Sequence, residues 1–289
     1  MKPKAIADVD CSTGEGPLWH PDEKALYWLD IPNGYLYRYD PATGEHERCF
    51  EGPPIGGFTL QSDGALLLFM AKGAIAIWRD GRELETIVEE IPAERDTRFN
   101  DVIADPAGRV FCGTMPLRDR PAHLYRLETD GTLSLVLSDV GLSNGLGFTP
   151  DRRGMYYTDT RKQRIYLFDY DETTGIIDNQ RVFVEVPATP GEGHPDGMTV
   201  DAEGFVWSAR WDGHCLVRYD PEGREVQRVM FPVPKVSCVT FGGEDYTDMY
   251  VTTASAGNRD KEGPLAGALF HLNLGIKGVP EFRSRVALK

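Results

Sequence analysis

The chain repeats itself, and the repeat limits what it can become. Six times in 289 residues a short apolar strand runs into a tight turn and out again. The turns are His20–Glu23, Gln61–Gly64, Asp105–Gly108, Thr149–Arg152, Asp201–Gly204 and Gly242–Asp245. Their Pro, Asp and Gly residues supply the backbone conformations that a hairpin needs. Each turn leads into a strand rich in aromatic and β-branched residues, such as Ala25–Leu29, Val110–Thr114 and Met249–Thr253, the composition of a pleated, half-buried surface. A third strand of similar character follows in most units, for example Tyr35–Tyr39 and Cys215–Tyr219. A second turn, Asp40–Gly44 or Asp220–Gly223, then opens a more polar fourth strand, as an edge facing water should be. Four strands recurring at about 40 to 50 residues mark propeller blades. No long segment has helical periodicity. The predicted fold is therefore all-β, a six-bladed β-propeller of four antiparallel strands per blade over residues 1–289, without an internal linker. A strand near Ala5–Asp8 is expected to complete the last blade and close the ring, because an open edge invites aggregation. The C-terminal Glu281–Leu288 competes for that role.

Composition narrows the partners. At 41% hydrophobic and 26% charged residues, the chain reads as an ordinary soluble globular protein, and no apolar run reaches the length of a membrane span. The 45 acidic residues against 31 basic give a formal charge of -14, which repels a nucleic-acid backbone or an anionic membrane. A cation or a neutral small molecule suits that balance better. Met1–Asp8 carries no secretion signal. Five scattered cysteines (Cys11, Cys49, Cys112, Cys215, Cys238) include no C-x-x-C pair, so reduced, mostly buried thiols in a cytoplasmic protein are expected, and no zinc-thiolate site. Trp211-Asp212 does not recur as a blade signature. Asp169–Gly175 imitates a calcium-loop opening but has Gln180 where the bidentate Glu belongs.

The first strand of a blade lines the central channel, so equivalent positions at its start form a ring around one mouth. Those positions hold Glu15, Gly56, Asn100, Asn144, Asp196 and Ser237, and the residue that follows is usually Gly. Hydrogen bonding at strand ends explains any one such Asn or Asp; four oxygen donors in register point to a divalent cation. Two carboxylates supply charge and the amides add neutral oxygens. Gly56 and Ser237 are expected to leave space on one side, setting the cation off-centre among Glu15, Asn144 and Asp196 with a coordination position open for water or substrate. Oxygen donors suit Ca, Mg or Mn, and such a site can also take Zn or Fe.

Glu15-Gly-Pro-Leu-Trp-His, Arg98-Phe-Asn-Asp101, Gly113-Thr-Met115, Leu142-Ser-Asn-Gly-Leu146, His194-Pro-Asp-Gly-Met198 and Pro264-Leu-Ala-Gly267 resemble the regucalcin/gluconolactonase family, the senescence marker proteins. The motifs occur in order over nearly the whole chain. The resemblance implies a six-bladed propeller with one axial divalent metal that hydrolyses sugar (aldono-) lactones. It makes Glu15, Asn144 and Asp196 the metal ligands, and Arg98 and Asn100 the substrate contacts. The metal would polarise the lactone carbonyl, and Asp196 would orient or deprotonate the attacking water as catalytic base. For Arg98 the competing role is an ion pair with Asp96 or Asp101.

Further expectations are coarser. His194 either orients Asp196 or stands exposed at the mouth. Trp211 and Arg210 are placed to flank a sugar, whereas Trp19 and Trp28 belong in the core. The loops 115–121 and 255–263 are long enough to cover the mouth; where some relatives have an acidic contact after Gly-Thr-Met, this chain offers Leu117 and Arg118. No nucleophile–base pair, phosphate loop or dinucleotide fingerprint is present. The competing functions are phosphotriester (organophosphate) hydrolysis on the same metal and a non-catalytic calcium-binding propeller.

Overall fold

The computed structural model describes residues 2–287. Its strands form six four-stranded antiparallel sheets in a ring, a six-bladed β-propeller. The innermost strands are Gly14–His20, Ile55–Leu60, Phe99–Ala104, Ser143–Phe148, His194–Val200 and Val236–Gly242. Each pairs with the next strand in sequence, and the fourth faces solvent; Glu45–Glu51 is mostly exposed whereas Ala25–Asp30 is wholly buried. Apolar faces of adjacent blades pack together through aromatic contacts such as Phe69 on Phe99 and Trp19 on Tyr250. Trp19 and Trp28 are buried there, as expected. All five cysteines are unpaired, and no helix among the described residues is long and apolar enough to cross a membrane.

The ring closes with the N-terminal strand. Lys4–Ala7 pairs antiparallel with Leu269–Asn273 as the outer strand of the sixth blade. The alternative, an edge strand at Glu281–Leu288, does not hold; Leu288 lies outside the described residues, and the rest of the segment crosses the far face as a strap. Its backbone bonds Leu60 and Ser62 of the second blade and Gly108 and Thr129 of the third. Arg283 pairs with Asp22 of the first blade and Phe282 packs on Phe148 of the fourth. Just ahead of it, the Lys277 carbonyl accepts the Ala202 N–H of the fifth blade, and the Gly278 N–H donates to the Tyr246 carbonyl of the sixth. The strap and the residues leading into it thus touch every blade.

Glu281 of the strap stands at the far end of the narrow axial channel, which Asp101 and Cys238 also line. Burial pushes its carboxyl up to about 7. A carboxyl with a raised folded-state pKa is held protonated by the fold, so folding loses stability as pH rises from the ordinary carboxyl range through 7. Glu281→Gln is therefore expected to melt like the parent at pH 4.5 and to be more stable by on the order of 2 kcal/mol at pH 8. Thermal unfolding at the two pH values checks this; an equal difference at both would refute it.

Candidate active site at the channel mouth

Every innermost strand slips register against its neighbour at the ring position. The irregularities fall at Glu15/Leu18, Ile55/Gly57, Phe99/Val102, Asn144/Leu146, Pro195/Met198 and Val236/Cys238. A bulge re-aims side chains, and here six bulges act on the same position of six blades. The glycine that follows has its own cause. A Cβ on Gly145 would lie 2.6 Å from the Asp196 carbonyl oxygen, and one on Gly197 2.8 Å from that of Ser237. Only glycine lets neighbouring inner strands approach so closely, and the approach brings the ring oxygens together.

Glu15, Arg98, Asn100, Asn144 and Asp196 line one cavity of about 580 Å³. The four ring residues are each no more than 6% exposed. Arg98 Nη1 donates to Asn100 Oδ1 (2.7 Å) and to the Phe99 carbonyl (2.8 Å). Asn100 Nδ2 donates to Asn144 Oδ1 (2.5 Å) and to the Ser143 carbonyl. Asn144 Nδ2 donates to Thr160 Oγ1 (2.7 Å), which donates to the Pro195 carbonyl beside Asp196. This chain orients both amides and runs from Arg98 to the strand of Asp196. Thr160 is invisible in the sequence, because only the fold brings its hairpin to Asn144.

The electrostatics are unbalanced. Burial, then repulsion from Asp101 and Asp196, raises Glu15 well above the ordinary carboxyl range. Burial and Asp101 do the same to Asp196, with Arg98 opposing. Burial lifts Asp101 itself to about 7. Arg98 is lowered to about 10 by burial, while the same three carboxylates pull it back up. Among the described residues Arg98 forms no ion pair with Asp96 or Asp101, and the Asp196 carboxylate accepts no hydrogen bond. Two buried acids, Glu15 and Asp196, and half-buried Asp101 thus face one half-buried base, with an unpartnered carboxylate at the axis. A divalent cation held by Glu15, Asn144 and Asp196 fits that deficit and those donors. No three His, Cys, Asp or Glu side chains among the described residues group as a metal site; this donor set has two carboxylates and an amide oxygen.

Other expectations need correction. Gly56 does not open space: a Cβ there would lie 1.9 Å from the Phe99 carbonyl oxygen, so the next blade's backbone fills that side. Ser237 Oγ donates to the Gly14 carbonyl and bonds Thr252. Arg210 is fully buried, bonding Ser208 and Tyr219, because strand alternation turns it inward. Trp211, one residue on, does line the cavity. His194 also lines it but bonds Gln163 Oε1 (2.9 Å), not Asp196. From the first loop Met115 reaches the cavity, and Arg120 ties the loop to buried Glu94. No residue of 255–263 lines it; that loop is anchored by Glu262 to Lys235 and by Arg259 to Asp8.

The ring and its mouth define a six-bladed propeller with an acidic, oxygen-rich axial pocket. The sequence pattern of the SMP-30/Gluconolactonase/LRE-like region matches residues 13–255, and the chain belongs to that family. It is 51% identical to pentonolactonase XacC of Haloferax volcanii over 98% of both chains. It is 36% identical to regucalcin of Gallus gallus over 93% of each. Among solved structures, the calcium-binding protein regucalcin from Agrobacterium tumefaciens superposes with a TM-score of 0.90 at 25% identity, covering 98% of this chain and 97% of that one.

Proposed function

We propose that the protein is a sugar lactonase that opens aldonolactones, pentonolactones among them, to the aldonic acid with a divalent cation bound at the axis. The observation that carries this is the convergence of Glu15, Asn144, Asp196 and Arg98 on one cavity, in a chain half identical to a pentonolactonase. Glu15, Asn144 and Asp196 hold the cation, which when bound supplies Lewis acidity toward the lactone carbonyl. Arg98, fixed by Asn100 and the Phe99 carbonyl, presents its remaining N–H groups to substrate oxygens. Asn100, bonded to Asn144, holds the substrate side of the ring. Asp196, with no donor on its carboxylate, orients a water and takes its proton as the water oxygen adds to the carbonyl carbon. The ring C–O bond then breaks, the departing oxygen takes that proton back from Asp196, and the acid leaves as carboxylate plus a proton.

Chelation tests the reading. Acid release from a panel of sugar lactones is expected to fall at least about tenfold after chelation and to return with Ca, Mg, Mn, Zn or Fe. If no divalent ion stimulates turnover, the reading is wrong. Cation binding without turnover would favour the non-catalytic alternative, a calcium-binding protein like the Agrobacterium relative.

A further inference from the structure

The hairpin Asp159–Gln163, at the mouth face of the fourth blade, contributes Thr160, Arg161 and Gln163 to the cavity wall. It is firmly held. The Asp159 carboxylate accepts the Gly141 and Leu142 N–H groups (2.9 and 3.1 Å), and the Thr160 N–H bonds the Leu142 carbonyl. A Cβ on Gly141 would lie 2.8 Å from the Cβ of Arg161, so glycine is what lets the two segments close. Arg161 therefore projects from a rigid base.

Its charge has no answer among the described residues. Arg161 is exposed and forms no ion pair or hydrogen bond among the described residues. Its neighbours differ: Lys162 meets Asp139 and Asp159, and Arg164 meets Glu185. The acidic lining residues are Glu15 and Asp196, which belong to the axial ring. Gln163 and His194 are bonded to each other, and Met115, Leu142, Ala188 and Trp211 make the remaining wall largely apolar. Thr13 adds a hydroxyl, and the guanidinium is thus the charged group away from the axis without a partner among the described residues, in a cavity larger than a five-carbon lactone fills.

We propose that Arg161 is a specificity-determining residue that pairs with a carboxylate at the far end of the substrate, so that sugar-diacid lactones are a preferred substrate class. This rests on the lactonase reading above. A guanidinium matches a carboxylate in two parallel hydrogen bonds, and a carboxylate distal to the lactone carbonyl reaches the wall while the carbonyl lies at the ring.

The test compares glucarolactone, which carries a free carboxylate, with neutral xylonolactone, in the parent and in Arg161→Gln and Arg161→Lys. Arg161→Gln is expected to lower kcat/KM for glucarolactone about tenfold, equivalent to about 1.4 kcal/mol, through KM. Xylonolactone should stay within about twofold, and Arg161→Lys should recover part of the loss. Equal change on both lactones, or on neither, overturns the proposal. If the parent opens neither lactone, the lactonase reading fails, and calorimetry decides on Arg161 by itself. Tighter binding of glucarate than xylonate that is lost in Arg161→Gln supports it; equal binding overturns it.

Discussion

Asp196→Asn is expected to lower kcat/KM for sugar lactones at least about a thousandfold while raising the melting temperature of the cation-free protein. The two effects share one cause. Asp196 is a buried carboxylate without a hydrogen-bond donor, facing Glu15 and Asp101. With no cation its ionised form bears desolvation and repulsion that the attraction of Arg98 does not offset, so a neutral isostere relieves the fold. A gain of about 2 to 4 °C corresponds to about 1 to 2 kcal/mol in a protein of this size. In catalysis the same change removes a proposed cation ligand and the proposed base for the attacking water, losses of about a hundredfold or more each. Steady-state assays and thermal unfolding after chelation read the two effects. Retained turnover would remove Asp196 from the mechanism. A lowered melting temperature would mean that its carboxylate is structural.

The ring is legible in the sequence because it repeats. Turn chemistry and strand composition recur in six units, and aligning them puts Glu15, Asn100, Asn144 and Asp196 at one position. The reason for the glycine beside them is not legible, since it lies in the distance between strands of different blades. Asp101 and Cys238 occupy that glycine position in the third and sixth blades, where they line the channel. Sequence alone offers Asp101 only as a partner for Arg98, whereas in the fold it raises the proton affinity of both ring carboxylates. A place near a strand end suggests the mouth for Arg210; alternation buries it and exposes Trp211 to the cavity instead. The strap has no periodicity at all. Its contacts join positions more than two hundred residues apart, such as Gln61 with Val286, and local sequence carries no trace of such a pairing.

The glycine of the repeat motif makes a prediction that links fold to chemistry. Gly145→Ala is expected to destabilise the protein by about 1 to 3 kcal/mol, the usual cost of overpacking, and to lower kcat/KM about a hundredfold. The added methyl would lie 2.6 Å from the Asp196 carbonyl oxygen, 2.9 Å from Thr158 Oγ1 and 3.0 Å from Met198 Cγ. Relief requires the fifth blade's inner strand to move away from the fourth, and Asp196 moves with its own carbonyl. Asn144 precedes the substituted residue, so the separation between two of the three proposed ligands changes directly. The Thr160 link from Asn144 to the Pro195 carbonyl crosses the same interface and has to stretch as well. A displacement of about 1 Å at a reacting centre costs about a hundredfold. Gly147→Ala is the control: on the same strand, its methyl meets the Val200 side chain at 2.8 Å, two residues further from the ring. It should lose comparable stability but keep kcat/KM within a few-fold. Equal kinetic loss in both variants would show that general loosening of the blade interface, and not the spacing of Asn144 and Asp196, governs activity.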